Sequence, residues 1–138
     1  MAAEGDCVFC QIVAGAFPAE FVHTDERTMA FMDINPSARG HVLVVPRTHS
    51  TDLHDIDPED LVACMRAAKI VASSAVDALG ADGVNILQNT GQAAGQAVFH
   101  FHIHVIPRFG GDELRSILSP RPGDPQEIAA AAAAIRGD

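Results

Sequence analysis

The sequence predicts an α+β domain in which one long helix packs on a mainly antiparallel sheet. Three observations carry this. Short apolar, β-branched runs recur at residues 20–24, 28–33, 41–46, 84–89 and 99–106, separated by Gly, Pro, Asn and Asp. One long helical pattern, 57–80, interrupts them. No repeat or linker divides the 138 residues, which suit one domain spanning 1–138.

Each element follows in order. CVFCQIVA, residues 7–14, reads as a short helix with Val8, Phe9 and Ile12 on its apolar side and Gly15 as its stop. Residues 20–24 and 28–33 form a hairpin around the polar turn 25–27. Asn35, Pro36, Ser37 and Gly40 mark a loop, and HVLVVP, 41–46, is a buried strand. Asp57 caps the long helix, with Pro58 at its first position and Glu59 and Asp60 where the dipole favours negative charge. Ile56 and Leu61 have the spacing of a hydrophobic staple. Leu61, Met65, Ala68, Ala72, Ala75 and Leu79 are expected to share the core face, and Gly80 ends the helix. VNILQN, 84–89, is a strand, and 90–97 a small-residue loop. FHFHIHVI, 99–106, is the last strand. The alanine run 129–134 predicts a C-terminal helix whose weak amphipathicity implies fraying or packing on a partner.

Composition narrows the function. At 48% hydrophobic the chain can bury a core without staples, and its net charge of −9 argues against a nucleic-acid backbone as partner. Backbone amides can still bind a small phosphate. No apolar run reaches membrane-spanning length, and the N-terminus lacks a secretory pattern. With three cysteines, an odd number, the expected location is the reducing cytoplasm.

Three of the seven histidines alternate in the last strand. Side chains of a strand alternate between faces, so Phe99, Phe101, Ile103 and Val105 point to the core while His100, His102 and His104 point the other way. The residues leave three readings open. The histidines could be a polar surface face. They could bind metal, although the outer pair start about 13 Å apart at roughly 3.3 Å per residue. Or a neutral imidazole could attack phosphorus, with its other nitrogen held by an acceptor. The middle residue, His102, has an imidazole neighbour on each side and is the natural nucleophile.

HFHIHVI resembles the signature of the histidine triad family. MAFMDINPSARGHVLVVPRTH, 29–49, and NTGQAAGQAVFHFHIHVIP, 89–107, extend the likeness, which covers about 7–109 and leaves 110–138 as a C-terminal extension. The resemblance is strongest to the small nucleotide-binding branch. It implies a homodimer paired through the long helix and a sheet edge. It also implies hydrolysis of nucleoside phosphoramidates or related AMP-linked compounds through a nucleotidylated His102. In that scheme His104 binds the phosphate, His100 stands behind in a relay, and His49 is the upstream histidine. Asp33 accepts the ribose hydroxyls, Ile34 packs on a purine base, and Asn89 lies beside the phosphate. Gly95, Gln96, Ala97 and Val98 supply backbone N–H groups and a side-chain amide to the phosphate. Ala97 stands where related proteins carry a serine suited to protonating an amine leaving group.

Cys7 and Cys10 are spaced as a thiolate pair for zinc. The resemblance completes a structural Cys2His2 site with His49 and His100 and implies no organic cofactor. Other readings are a dinucleoside polyphosphate hydrolase, a nucleotide-binding interaction module with weak catalysis, and a zinc-stabilised interaction protein without nucleotide affinity.

Overall fold

The computed structural model describes residues 6–112 and 121–138. Part of the C-terminal extension, 113–120, and the first five residues of the N-terminus lie outside them. Helix α1 (Val8–Val13) is followed by strands β1 (Phe21–Thr24), β2 (Thr28–Met32) and β3 (Val42–Pro46), then helix α2 (Pro58–Leu79). Strands β4 (Gly83–Leu87) and β5 (Ile103–Arg108) and helix α3 (Pro125–Arg136) complete the fold. The sheet runs β1-β2-β3-β5-β4 with every pairing antiparallel. The expected α+β architecture is therefore present.

The middle of the sheet is covered on both faces, which explains why β2 and β3 are buried along their whole length. One face packs Ala30, Met32, Val42, Val44, Phe101, Ile103 and Val105 under α2 and α3. The other packs Met29, Phe31, Leu43 and Val45 against Phe9 and Ile12 of α1. His104 pairs with Leu43 in register, so the triad lies on the α1 face.

Helix α2 begins and ends as its sequence dictates. The Asp57 carboxylate accepts from the Glu59 N–H at 2.8 Å, and Gly80 closes the helix in the left-handed region at φ 69°. Its core stripe differs from expectation. Cys64, Ala67, Ala68, Val71 and Ala75 are buried, whereas Met65 is 50% exposed. Small residues let the helix sit close on the sheet, and this turns the bulky Met65 outward beside Val62.

The alanine helix α3 also departs from expectation. Ala131, Ala132 and Ile135 are buried in this chain's own core cluster, so the helix packs on its own sheet and α2. The last strand starts at Ile103 rather than 99, because the preceding backbone is used elsewhere: the Phe101 N–H donates to the Ser50 carbonyl at 2.7 Å. Phe99 is accordingly only partly buried. Strand β4 stops at Leu87, short of the expected 89.

Candidate active site

The histidines separate into two groups, and hydrogen bonds decide which. His102 Nδ1 lies 2.8 Å from the His100 carbonyl oxygen. A carbonyl only accepts, so Nδ1 carries the proton, and Nε2 of the neutral ring is the basic nitrogen. His102 is buried at the wall of a cleft of about 480 Å³. Burial holds its pKa below the usual imidazole range, against the pull of the His100 carbonyl and the Asp33 carboxylate.

His41, immediately before β3, was missed by the sequence reading and belongs to the same centre. Its Nδ1 accepts from the Ser37 N–H at 2.9 Å, so its proton sits on Nε2. That N–H donates to His104 Nδ1, also at 2.9 Å. His104 is thereby set with its own proton on Nε2. The His102 and His104 rings meet edge to face at 4.9 Å. Burial, then the neighbouring charges of Arg108 and His102, lowers the His41 pKa to about 3. Burial, then His102 and His41, lowers His104 to about 3. The only signal for His41 in the sequence was a polar residue leading an otherwise apolar buried strand.

His100 and His49 turn elsewhere. His100 Nε2 donates to the Pro46 carbonyl at 2.9 Å, which leaves Nδ1 facing Cys7 Sγ and Cys10 Sγ, each at 3.5 Å. His49 Nδ1 lies 3.2 Å from Cys10 Sγ. The His100 ring therefore does not face His102; its carbonyl does. His100 thus stands behind His102 through its backbone carbonyl, while His49, grouped with the catalytic histidines by the sequence, lies outside the cleft lining. Burial lowers the His100 pKa to about 4, opposed by the Pro46 hydrogen bond and reinforced by His49 and His102.

The donor atoms of Cys7, Cys10, His49 and His100 all lie within 4.8 Å of one another. Tetrahedral zinc, with Zn–S of about 2.3 Å and Zn–N of about 2.0 Å, requires S···N separations of about 3.5 Å. The donor set and spacing fit zinc, and the His100 bond to Pro46 is the kind of outer contact that orients a metal-binding imidazole. Asp33, His41 and His104 also cluster within 4.8 Å. That group is a poor metal site, because the His41 lone pair is already committed to Ser37.

Apolar side chains and imidazoles line the cleft together. Val8, Phe9, Ile12, Phe17 and Phe31 supply the apolar lining, with the Phe9 ring edge to face with His102 at 5.2 Å, and Gly95, Ala97 and Val98 complete the wall. Asp33 and Ile34 lie on its rim loop. Burial raises the Asp33 pKa, offset by the Asn35 N–H that its Oδ1 accepts at 2.8 Å and by His102. Ile34 is 70% exposed. Asn89 is buried outside the cleft lining.

Gln96 departs from its expected role. Its Nε2 donates to the carbonyls of Thr51 (2.7 Å) and Val98 (3.1 Å), and its Oε1 accepts from the Gly91 N–H at 2.8 Å. The side-chain amide is spent holding the loop in shape.

Fold and site together define a small α+β protein whose imidazoles divide between a thiol-rich cluster and an apolar cleft. A family model described as HIT domain matches residues 14–111, and this chain belongs to the HIT, or histidine triad, family. It is similar to a Zn-bound histidine triad family protein from Mycobacterium smegmatis, with TM-score 0.88 and 40% identity, covering 98% of this chain and 94% of that one. An uncharacterized HIT-like protein of Methanocaldococcus jannaschii is 42% identical over 106 residues, 77% of this chain and 81% of the relative. Adenylylsulfatase HINT3 of Arabidopsis thaliana is 38% identical over 105 residues, 76% of this chain and 53% of the relative.

Proposed function

We propose that this protein is a nucleotidyl hydrolase that cleaves AMP-linked compounds through a covalent His102 intermediate. The observation that carries the reading is the His102 Nδ1–H bond to the His100 carbonyl, which leaves Nε2 as the nucleophile at the cleft. The apolar lining takes a purine base, Asp33 accepts the ribose hydroxyls, and Ile34 closes over the base. In the first step Nε2 forms a bond to the α-phosphorus and the bond to the leaving group breaks. The His100 carbonyl stabilises the positive ring that results. The His104 Nε2–H and the main-chain N–H groups of Ala97 and Val98 stabilise the phosphoryl oxygens, while those of Gly95 and Gln96 donate within the loop to the Gln92 and Gly91 carbonyls. Water then attacks phosphorus, cleaves the P–N bond and releases the nucleoside monophosphate. Zinc at Cys7, Cys10, His49 and His100 has a structural role, tying α1 to the sheet.

The leaving group divides two readings. A nucleoside phosphoramidate releases an amine that must gain a proton, and Ala97 has no hydroxyl to help deliver one. A dinucleoside polyphosphate or adenylyl sulfate releases an anion that needs none. The name of the Arabidopsis relative supports the anionic class.

The exposed face formed by Val62, Met65 and Ile86, beside the sheet-edge strand β4, is read as the surface of a homodimer. Among the described residues no helix is long and apolar enough to cross a membrane.

The test is AMP release from adenosine phosphoramidate, a dinucleoside polyphosphate and adenylyl sulfate, with acid-quenched mass spectrometry of the protein. Release should occur with at least one class, with an AMP adduct on His102, and both should vanish in His102→Ala. Turnover that survives His102→Ala overturns the mechanism. Tight AMP binding without turnover of any class would favour a binding module.

A further inference from the structure

We propose that the segment 121–124 is a strap that positions the base-capping loop, with Gly123 as its positioning residue. This rests on the nucleotide reading of the cleft.

The loop of residues 33–37 is a thin wall between two cavities. The cleft of about 480 Å³ lies on one side and a second cavity of about 580 Å³ on the other, and Met32 and Asp33 line both. Several hydrogen bonds hold the loop backbone. The Asp33 N–H donates to the His41 carbonyl at 3.0 Å, the Asn35 N–H to Asp33 Oδ1 at 2.8 Å, and the Ser37 N–H to His41 Nδ1 at 2.9 Å. All of these come from within the site. One more comes from beyond the HIT match: the Gly123 N–H donates to the Ile34 carbonyl at 2.9 Å. Ile34 is 70% exposed, so little packing fixes its side chain, and its direction follows from its backbone.

Gly123 is needed for the approach. A Cβ there would stand 2.7 Å from Pro36 Cδ, 2.8 Å from Pro36 Cγ and 3.1 Å from Ile128 Cδ1. Any larger residue must push the strap away from the loop, and the second cavity leaves the loop room to shift. The strap itself is anchored. Asp124 Oδ1 caps α3 by accepting from the Gln126 N–H at 2.9 Å, α3 buries Ala131, Ala132 and Ile135 in the core, and Arg136 Nη1 donates to the Phe21 carbonyl at 2.8 Å. Rigidity of the core thus passes through α3 and Gly123 to Ile34. The residues placed at the phosphate on the far wall, Ala97, Val98 and His102, have no part in this chain of contacts. Ser37, at the far end of the loop, links it through His41 to His104, so the strap acts first on the base at Ile34 and far less on the phosphate.

The experiment compares the full chain with Gly123→Val and Gly123→Ala. AMP and inorganic phosphate are titrated calorimetrically, and KM and kcat are measured on an AMP-linked substrate. Losing the bond to Ile34 should weaken AMP roughly five- to ten-fold in Gly123→Val. Inorganic phosphate should be unaffected, KM should rise and kcat should change far less. Gly123→Ala should show the same pattern at smaller amplitude, and in wild type the Gly123 amide resonance should shift when AMP binds. Equal weakening of both ligands, or AMP affinity unchanged in both variants, overturns the strap. Failure of wild type to bind AMP removes the nucleotide reading and the strap together, whereas AMP binding with unchanged variants removes the strap alone.

Discussion

His41 and His104, 63 residues apart in the chain, share one buried hydrogen bond of 2.9 Å from Nε2 to Nδ1. Because His41 Nδ1 accepts from the Ser37 amide, the bond has only one polarity while both rings are neutral. The backbone of one loop thereby dictates where a proton sits on an imidazole at the cleft.

Removing His41 should release that constraint. In His41→Ala, His104 can place its proton on Nδ1 and present a lone pair to the phosphoryl oxygen. We expect kcat to fall about 10²-fold, the usual cost of losing one preorganised donor, with KM changing far less. His41→Gln, which keeps a donor, should recover part of the loss. Steady-state kinetics on an AMP-linked substrate check both.

Acid should destabilise the fold through the same pair. His41 and His104 have folded pKa values of about 3, below the value of an unfolded histidine. Between pH 6.5 and pH 3 the unfolded chain therefore binds more protons, so stability falls as pH falls, by on the order of 1.4 kcal/mol per pH unit for each such group. Urea unfolding at pH 7 and pH 4.5, with chelator present throughout to separate metal release, should show a smaller loss in His41→Gln than in wild type.

Zinc should co-purify at close to one ion per chain, and either Cys7→Ser or Cys10→Ser should lower that content sharply. Chelation should lower the melting temperature, because α1 has only six residues and is too short to hold itself. Elemental analysis and thermal melts with and without added zinc decide it. A metal content near zero that persists after zinc is supplied removes the site.

The outward face of α2 offers a separate test. Met65→Lys and Ile86→Lys alter residues that are 50% and 44% exposed in the single chain, so they should leave its melting little changed. If this face joins two copies, light scattering should report a dimer for wild type and a monomer for the double variant. A wild-type monomer at micromolar concentration would dispose of the dimer.

Much of this protein was legible in one dimension. Strand geometry alone puts His100, His102 and His104 opposite Phe101, Ile103 and Val105, and the structure keeps that division between the two faces of the sheet. The long helix was readable at both ends, because Asp57 and Gly80 act on backbone groups within a turn of themselves. Its core face was read less well: weight went to the large Met65, while close packing favoured Cys64 and Ala67. Local periodicity says which residues share a face but not how near that face lies to its neighbour.

Partner choice belonged to the tertiary structure. Which imidazole turns to thiols and which to the cleft depends on carbonyls from Pro46 and His100 and on the β3–β5 register, none of which leaves a mark in residue spacing. His41 entered the site, and Gln96 spent its amide inside its own loop, for the same reason. Alternation and capping are short-range and set by covalent geometry. Hydrogen-bond polarity in a buried centre is settled only when distant strands close and every donor must find an acceptor.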